Sequence, residues 1–310
     1  MQGFIQRHSA ALLMLAGVLG FMFPTASAAL FPYLPYILFF LMLFTLLGMQ
    51  QQALIKALQR PSVWIYALLH SAGLTLMSTA MATLLGASAS LTLGIAGVAA
   101  TGSLFATPAI ARSVGLDPLK AMAMTIATTL IMPAVLYVNL LVFQDDHFTL
   151  NLQEYVLRLL IFIVGPMGIS ALVYRFTPSS TLQSIHQRLS SVTIVLVFAF
   201  PFGLIGPFRD TFNVSLSQAM LYLLLATALS LLFFLVGYLL YRSQSLNAGL
   251  LAAITSANRN VLLTYTVAGN YLGPDYLILL AAIQLPTYAL PLLVRAISRH
   301  TQAKHNAVSS

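Results

Sequence analysis

Six consecutive residues place dense polar chemistry in the middle of an apolar stretch. They run from Thr255 to Asn260 as TSANRN, and five of the six side chains are polar. Arg259 stands out, because a charged side chain at the centre of a membrane span costs about 2.5–3.5 kcal/mol or more unless partners satisfy it. Backbone carbonyl oxygens or a carboxylate held in the planar guanidinium fork can do so. The hexapeptide predicts a buried polar site centred on Arg259.

A second polar stretch runs from Ala100 to Pro108 as ATGSLFATP. Gly102 tolerates unusual dihedral angles and Pro108 lacks an amide donor, so this stretch predicts a break in a helix. Paired breaks at membrane depth usually enclose a binding site, whereas the alternative is a proline kink with polar residues that join helices. The predicted solute-binding residues are Ser103, Thr107, Ser256, Asn258, Arg259 and Asn260.

Two roles for Arg259 remain open. It recognises an anionic solute, or it braces the two breaks through carbonyl oxygens. Every Asp and Glu lies in a loop or at the end of a predicted span, so the sequence offers no carboxylate partner at mid-membrane depth. His70 is the other side chain there of a type that can titrate near neutral pH. Three roles for His70 remain open, namely a packing residue, a proton relay and a solute contact.

The composition defines the elements that must position these residues. Hydrophobic residues make up 59% of the 310 positions and charged residues only 6%, against about 25% charged residues in a soluble domain. The apolar runs have the length of about 20 residues that a membrane-crossing helix needs. We therefore expect an all-α polytopic protein in contact with membrane lipids. The predicted spans are residues 9–28, 31–49, 62–85, 91–114, 118–143, 154–174, 190–207, 216–241, 246–270 and 275–298.

The distribution of charges predicts the orientation. Basic residues concentrate on one side of the membrane, which by the positive-inside rule is the cytoplasm, whereas the opposite loops hold Arg209. The cytoplasmic basic residues are Arg7, Lys56, Arg60, Arg112, Lys120, Arg175, Arg188, Arg242, Arg295, Arg299 and Lys304. On the outer side lie Asp145, Asp146, Glu154, Asp210 and Asp275, and Asp117 lies inside. We expect a bacterial-type inner membrane protein with both termini in the cytoplasm.

The N-terminal region has some features of a cleavable signal peptide. Arg7 precedes an apolar run from Ala10 to Phe23, which leads to the triplet Ala26-Ser27-Ala28. Removal would leave an odd number of spans and disturb the charge asymmetry. We expect this region to be retained as the first span.

The chain divides into two similar halves, residues 1–150 and 151–310. Five spans in each half give the halves opposite orientations, which is the inverted-repeat plan of many secondary transporters. A shift of 153 residues places Ala99, Ala100, Ser103 and Pro133 on Ala252, Ala253, Ser256 and Pro286.

Several classes of chemistry find no support in the sequence. The absence of cysteine excludes disulfides and thiol chemistry. HExxH, GxGD, GxSxG and P-loop motifs do not occur, so we expect no catalytic residues and no enzymatic activity. Basic residues are spread singly over loops, which argues against a nucleic-acid partner. No cofactor or metal centre is expected, apart from the sodium ion considered below.

The order of the motifs resembles the bile acid:sodium symporter superfamily over nearly the whole chain. The motifs are the opening LAGVLGFMFP, the second span LPYILFFLMLFTLLGM followed by LQRP, the fourth span leading to ATTLIMP, and AITSANRN leading into YLGP. The resemblance implies ten helices arranged as a panel and a core, with broken fourth and ninth helices that cross near the membrane centre.

The resemblance also implies positions for two sodium ions, and this sequence departs from them. The glutamate and glutamine that bind sodium in that family fall on Thr255 and Arg259, and the TASN of the fourth helix has no counterpart in FATPAIA. If an ion site is retained, its residues are His70, Thr125, Thr128, Thr129 and Thr255. A fixed positive charge where a cation would bind suggests that sodium coupling is partly or wholly lost.

These features together predict alternating-access transport of a small organic anion. One alternative is a sodium-coupled symporter of the organic-anion or bile-acid type that binds the ion through neutral oxygens. The other is a non-transporting receptor or sensor on the same fold.

Overall fold

The computed structural model describes residues 2–143, 151–290 and 292–294 of the protein. These ranges are almost entirely helical and contain no strand beyond one isolated β-bridge. Seven of the helices described are long and apolar enough to cross a membrane, and three shorter apolar helices accompany them. The prediction of a polytopic α-helical membrane protein is confirmed at this level.

Seventeen α-helices follow one another in the described ranges, joined in places by short 3₁₀ or π-helical turns. They are α1 Gln2–Met22, α2 Pro24–Leu30, α3 Leu34–Leu47, α4 Gln51–Leu58, α5 Pro61–Leu68, α6 Leu74–Leu84, α7 Ala89–Ala100, α8 Thr107–Ser113, α9 Pro118–Phe143, α10 Leu152–Leu159, α11 Gly165–Phe176, α12 Ser179–Leu204, α13 Gly206–Val214, α14 Leu216–Tyr241, α15 Leu246–Ala257, α16 Val261–Ala268 and α17 Gly273–Ala282. A further helical stretch covers residues 284–290.

The first predicted boundary was wrong. The first span was predicted to end at residue 28, but α1 ends at Met22 and a new helix starts at Pro24. Phe23, at φ −116° and ψ 67°, leaves the helical region before the proline, as a residue that precedes proline commonly does. From Pro24 the chain continues through a 3₁₀ turn into α3, so the second span begins earlier than the sequence suggested.

Some predictions fall outside the described residues. These are the positions of Asp145, Asp146, Arg295, Arg299 and Lys304, the boundary between the predicted halves, and the end of the tenth predicted span. The side chains of Arg7 and Arg188 are likewise not described.

The helices pack as two groups. In the first group α12 packs against α1 and α3, and α3 also packs against α11. In the second group α7 packs against α6, α9 and α17, while α14 packs against α15 and α17. Helix α16 contacts both α3 and α7, and α13 contacts both α1 and α17, so these two helices join the groups. The short α4 lies against α9, with Leu54 as its buried residue.

The two broken helices have the same form. The first segments, α7 and α15, each contain 12 residues and begin after a serine N-cap, Ser88 or Ser245, whose hydroxyl accepts a bond from an amide of the first turn. These caps are 157 residues apart, four more than the shift found in the sequence. Because a helix turns once in about 3.6 residues, a four-residue slip keeps the same faces aligned. By this register Ser103 corresponds to Asn260 rather than to Ser256.

Candidate functional site

The two breaks cross and pair with each other. Ser103 and Arg259 face one another in an antiparallel β-bridge. On either side of it, the Leu104 amide donates to the Asn258 carbonyl and the Asn260 amide donates to the Gly102 carbonyl, both at 2.8 Å. Because unwound backbone at membrane depth needs protein partners, each break satisfies part of the other.

Local sequence accounts for the break in the fourth helix. Thr101 adopts an extended conformation at φ −62° and ψ 146°, and Pro108 lies in the first turn of α8. Gly102 allows a close approach to α9, because a Cβ atom at this position would lie 2.9 Å from the Cα, N and Oγ1 atoms of Thr129. A larger residue would hold the break away from α9.

Arg259 lies at the centre of the crossing and is 2% exposed. Its Nη1 donates to the carbonyl oxygens of Ala99 at 2.8 Å, Thr101 at 2.9 Å and His70 at 3.2 Å. Nη2 donates to the same His70 oxygen at 3.3 Å. The guanidinium carbon lies 4.2 Å from the ring centroid of Phe233, within cation–π range. The carbonyl oxygens therefore make the brace that the sequence left as one of two alternatives.

A π-helical turn in the third span supplies one of these acceptors. Residues Leu69–Gly73 form this turn, and the Leu74 amide donates to Leu69 and Ser71. In a regular α-helix that amide would donate to the His70 carbonyl. The π-turn therefore turns the His70 carbonyl toward Arg259.

The His70 ring joins the third span to both breaks. Its Nε2 lies 3.2 Å from the Thr101 carbonyl, which can only accept, so Nε2 carries the proton and Nδ1 accepts from the Tyr66 hydroxyl at 3.2 Å. Tyr66 is also bonded to Ser256 Oγ at 2.9 Å. Tyr66 has no polar neighbour in the sequence, and its role was missed.

Other hydroxyls reinforce the crossing. The Ser103 amide donates to Thr128 Oγ1 at 3.0 Å, and Ser103 Oγ is bonded to Thr107 Oγ1 at 3.2 Å. Thr101 Oγ1 donates to the Asn260 carbonyl at 3.0 Å and is also bonded to Thr264. Thr101 and Thr264 are two further site residues that the sequence did not single out.

Besides Nε of Arg259, four buried side chains at or beside the crossing hold polar atoms without a bond to any described residue. Both carboxamide atoms of Asn258 and of Asn260 are in this state, as are the hydroxyls of Thr125 and Thr129 on α9. Asn258 is fully buried and Asn260 is 1% exposed. Buried polar atoms are nearly always hydrogen-bonded to protein or to ordered water. These atoms can therefore bond to water or to a bound molecule.

Three of the predicted ion-binding residues use their polar side-chain atoms in bonds within the protein. Thr255 donates to Leu251 of its own helix at 2.7 Å, and Thr128 donates to the Thr125 carbonyl at 2.9 Å. His70 is bonded on both ring nitrogens, so its ring offers no free ligand atom. Among the described residues, no group of His, Asp or Glu could hold a metal ion.

All the predicted solute and ion residues are buried in this conformation. A small crevice between the third span and α14 ends at His70, Tyr66 and Ser256 and has room for about one water molecule. The exposed leucines Leu69 and Leu240 are among the residues that line it. In this conformation the surrounding helices therefore cover the crossing.

The fold and this centre define a multi-pass helical membrane protein whose buried polar core lies where two broken helices cross. No protein-family model matches the chain, and a search of curated proteins finds no match.

Proposed function

We propose that the protein is a secondary transporter that moves a small organic anion across a bacterial-type inner membrane by alternating access. In this proposal ten spans form two inverted five-helix repeats, with the first helix group as a panel and the second as a core. The observation that carries it is the crossing, where Asn258, Asn260, Thr125 and Thr129 keep unbonded polar atoms in a buried centre. Paired broken helices at membrane depth are the usual site of solute binding in such folds.

The charge at the crossing favours an anion. Arg259 has carbonyl partners only, and none of the acids that the structure describes lies among its contacts. Carbonyl dipoles solvate the guanidinium but do not neutralise its charge. Two of them, from Ala99 and Thr101, belong to the C-terminal end of α7, so Arg259 offsets the negative end of that helix dipole. The N-terminal end of α16, which begins at Val261, adds partial positive charge.

The same contacts support the loss of sodium coupling. A cation at this place would need oxygen ligands, and the carbonyl oxygens of Ala99, Thr101 and His70 are bonded to the guanidinium instead. We therefore expect flux of the anion in proteoliposomes to persist when choline replaces sodium. A strict sodium requirement would refute this part of the proposal.

Sodium symport remains the second candidate because of one specific observation. Thr125 and Thr129 are fully buried, and their hydroxyls make no bond within the described part of the chain. Neutral oxygens of this kind are suitable ligands for a small hard cation. Flux measured in sodium and in choline separates the two candidates, and flux of any solute excludes a purely sensory role.

The direct test begins with a thermal-shift screen of purified protein against carboxylates, sulfonated steroids and oxyanions, since a ligand of the folded state raises its stability by mass action. Flux of the best ligand is then measured in proteoliposomes. Asn258→Leu should lower that flux at least tenfold. Asn139→Leu is the matched control, because Asn139 is also buried with an unbonded amide nitrogen but lies near the far end of α9. Equal flux in both variants would overturn the proposed site.

A further inference from the structure

The guanidinium of Arg259 uses only one of its edges to brace the helices. Arginine has five N–H donors. The two hydrogens of Nη1 face the carbonyl oxygens of Ala99, Thr101 and His70, and Nη2 makes one bond, to His70. Nε is buried and makes no bond to any residue that the structure describes. The N–H of Nε and the second N–H of Nη2 therefore remain unused.

These two N–H groups lie side by side on one edge of the planar group. They point in parallel, which is the geometry with which arginine binds both oxygens of a carboxylate. The ring of Phe233 lies 4.2 Å from the guanidinium carbon and covers one face of the plane. An anion must therefore approach Arg259 in the plane of the guanidinium, along its free edge.

The residues that precede and follow Arg259 in the sequence carry further donors. Asn258 and Asn260 precede and follow it, and both side chains are buried with neither carboxamide atom bonded within the described residues. A carboxylate has about four lone-pair sites, and the guanidinium edge fills two of them. The amide N–H groups of the two asparagines can donate to the others.

We propose that Arg259 performs both functions at once: its Nη1 end braces the crossing, and its Nε/Nη2 edge binds the carboxylate of the solute with Asn258 and Asn260 alongside. This inference rests on the proposed transport of an organic anion and narrows the solute to a monocarboxylate. A tetrahedral sulfonate or phosphate presents a third oxygen outside the guanidinium plane. A dianion would bring a second charge to a centre where Arg259 is the one cation among the described contacts.

The test uses the purified full chain and compares benzoate with benzamide and benzenesulfonate by isothermal titration. Benzamide has nearly the shape of benzoate without its charge, and benzenesulfonate has the charge with tetrahedral geometry. Benzoate should bind at least tenfold more tightly than either. Equal or tighter binding of benzamide or benzenesulfonate, or no binding of benzoate, overturns the inference.

Two variants locate the binding edge. Arg259→Lys keeps a positive charge near the carbonyl oxygens but has no planar fork, so benzoate affinity should fall at least tenfold. Asn260→Asp introduces a buried carboxylate on the residue next to Arg259. If it pairs with the free edge, as the inference requires, it should raise the thermal midpoint and abolish the benzoate response. If the Lys variant binds benzoate like the wild type, or the Asp variant still responds to benzoate, the Nε/Nη2 edge does not bind the carboxylate.

The outcomes separate this inference from the proposed function. Flux of sulfonates, oxyanions or neutral solutes without carboxylate binding would be consistent with the transporter proposal, but it would reject carboxylate binding at the Nε/Nη2 edge. Lack of flux for every solute in the screen would reject the transporter proposal itself.

Discussion

Replacement of Gly102 by alanine tests the packing of the crossing against α9. The new Cβ atom would lie 2.9 Å from the Cα, N and Oγ1 atoms of Thr129, and two of these belong to the backbone of a long helix. Ordinary van der Waals contact begins near 3.4 Å. The break must therefore move by about half an ångström, because the backbone of α9 cannot rotate away as a side chain could.

The contacts at Gly102 allow the free-energy cost of this displacement to be worked out. Insertion of a methyl group into a packed core costs about 1–3 kcal/mol. The shift also strains the bond from the Ser103 amide to Thr128 and the bond from the Asn260 amide to the Gly102 carbonyl, each worth about 0.5–1.5 kcal/mol. We expect Gly102→Ala to lose about 2–4 kcal/mol of stability in total and to lower solute flux, since both breaks depend on this pairing.

The assay is the thermal midpoint of purified protein in one detergent at one heating rate, followed by flux in proteoliposomes. Gly168→Ala is the control, because a Cβ atom there would meet nothing within 4 Å and the residue lies inside α11. That change should leave the midpoint equal or slightly higher, as alanine is the better helix former. If Gly102→Ala has the same midpoint and flux as wild type and Gly168→Ala, the close contact with Thr129 does not hold the crossing in place.

Two further substitutions probe contacts that the sequence did not reveal. Tyr66→Phe should cost about 1–3 kcal/mol, because it removes the partner of Ser256 Oγ and His70 Nδ1; the thermal midpoint checks this, with the exposed Tyr36→Phe as a control that should not change. Gly20→Ala should lower the yield of folded protein and the midpoint, since its Cβ atom would lie 2.2 Å from the Phe202 carbonyl oxygen. Gly17→Ala, one turn earlier with its nearest neighbour at 3.8 Å, should be tolerated, and equal effects would contradict the packing of α1 on α12.

Local patterns predicted much of the fold. Apolar runs of membrane-spanning length correspond to the long helices, because a helix satisfies its own backbone bonds and needs only an apolar surface in lipid. The broken fourth and ninth helices were predicted from Gly102, Pro108 and the hexapeptide that starts at Thr255. Such residues disfavour or interrupt a helix at their own positions, so the sequence alone reveals them. The end of α1 was placed too late because Pro24 was treated as part of the first span.

Other features have no local signal. The π-turn at Leu69–Gly73 adds one residue to a helical turn, in a sequence that fits an α-helix equally well. The turn makes the His70 carbonyl available to Arg259, and this bond forms only where the third span packs against the ninth. The four-residue difference between the register of the sequence shift and that of the two serine caps has a similar origin. Small apolar residues recur on the same helix face, so the sequence did not fix which residues are equivalent.

By itself, the sequence indicated a helical membrane protein with two interrupted helices and an arginine within a span that holds no acid at mid-membrane depth, because composition, span length and helix-breaking residues are properties of neighbouring positions. Tertiary structure alone decided what that arginine touches. The carbonyl oxygens of Ala99, Thr101 and His70 lie about 160 to 190 positions from Arg259 in the chain. Their convergence on one end of the guanidinium, which leaves the other edge free, depends on how the two broken helices cross.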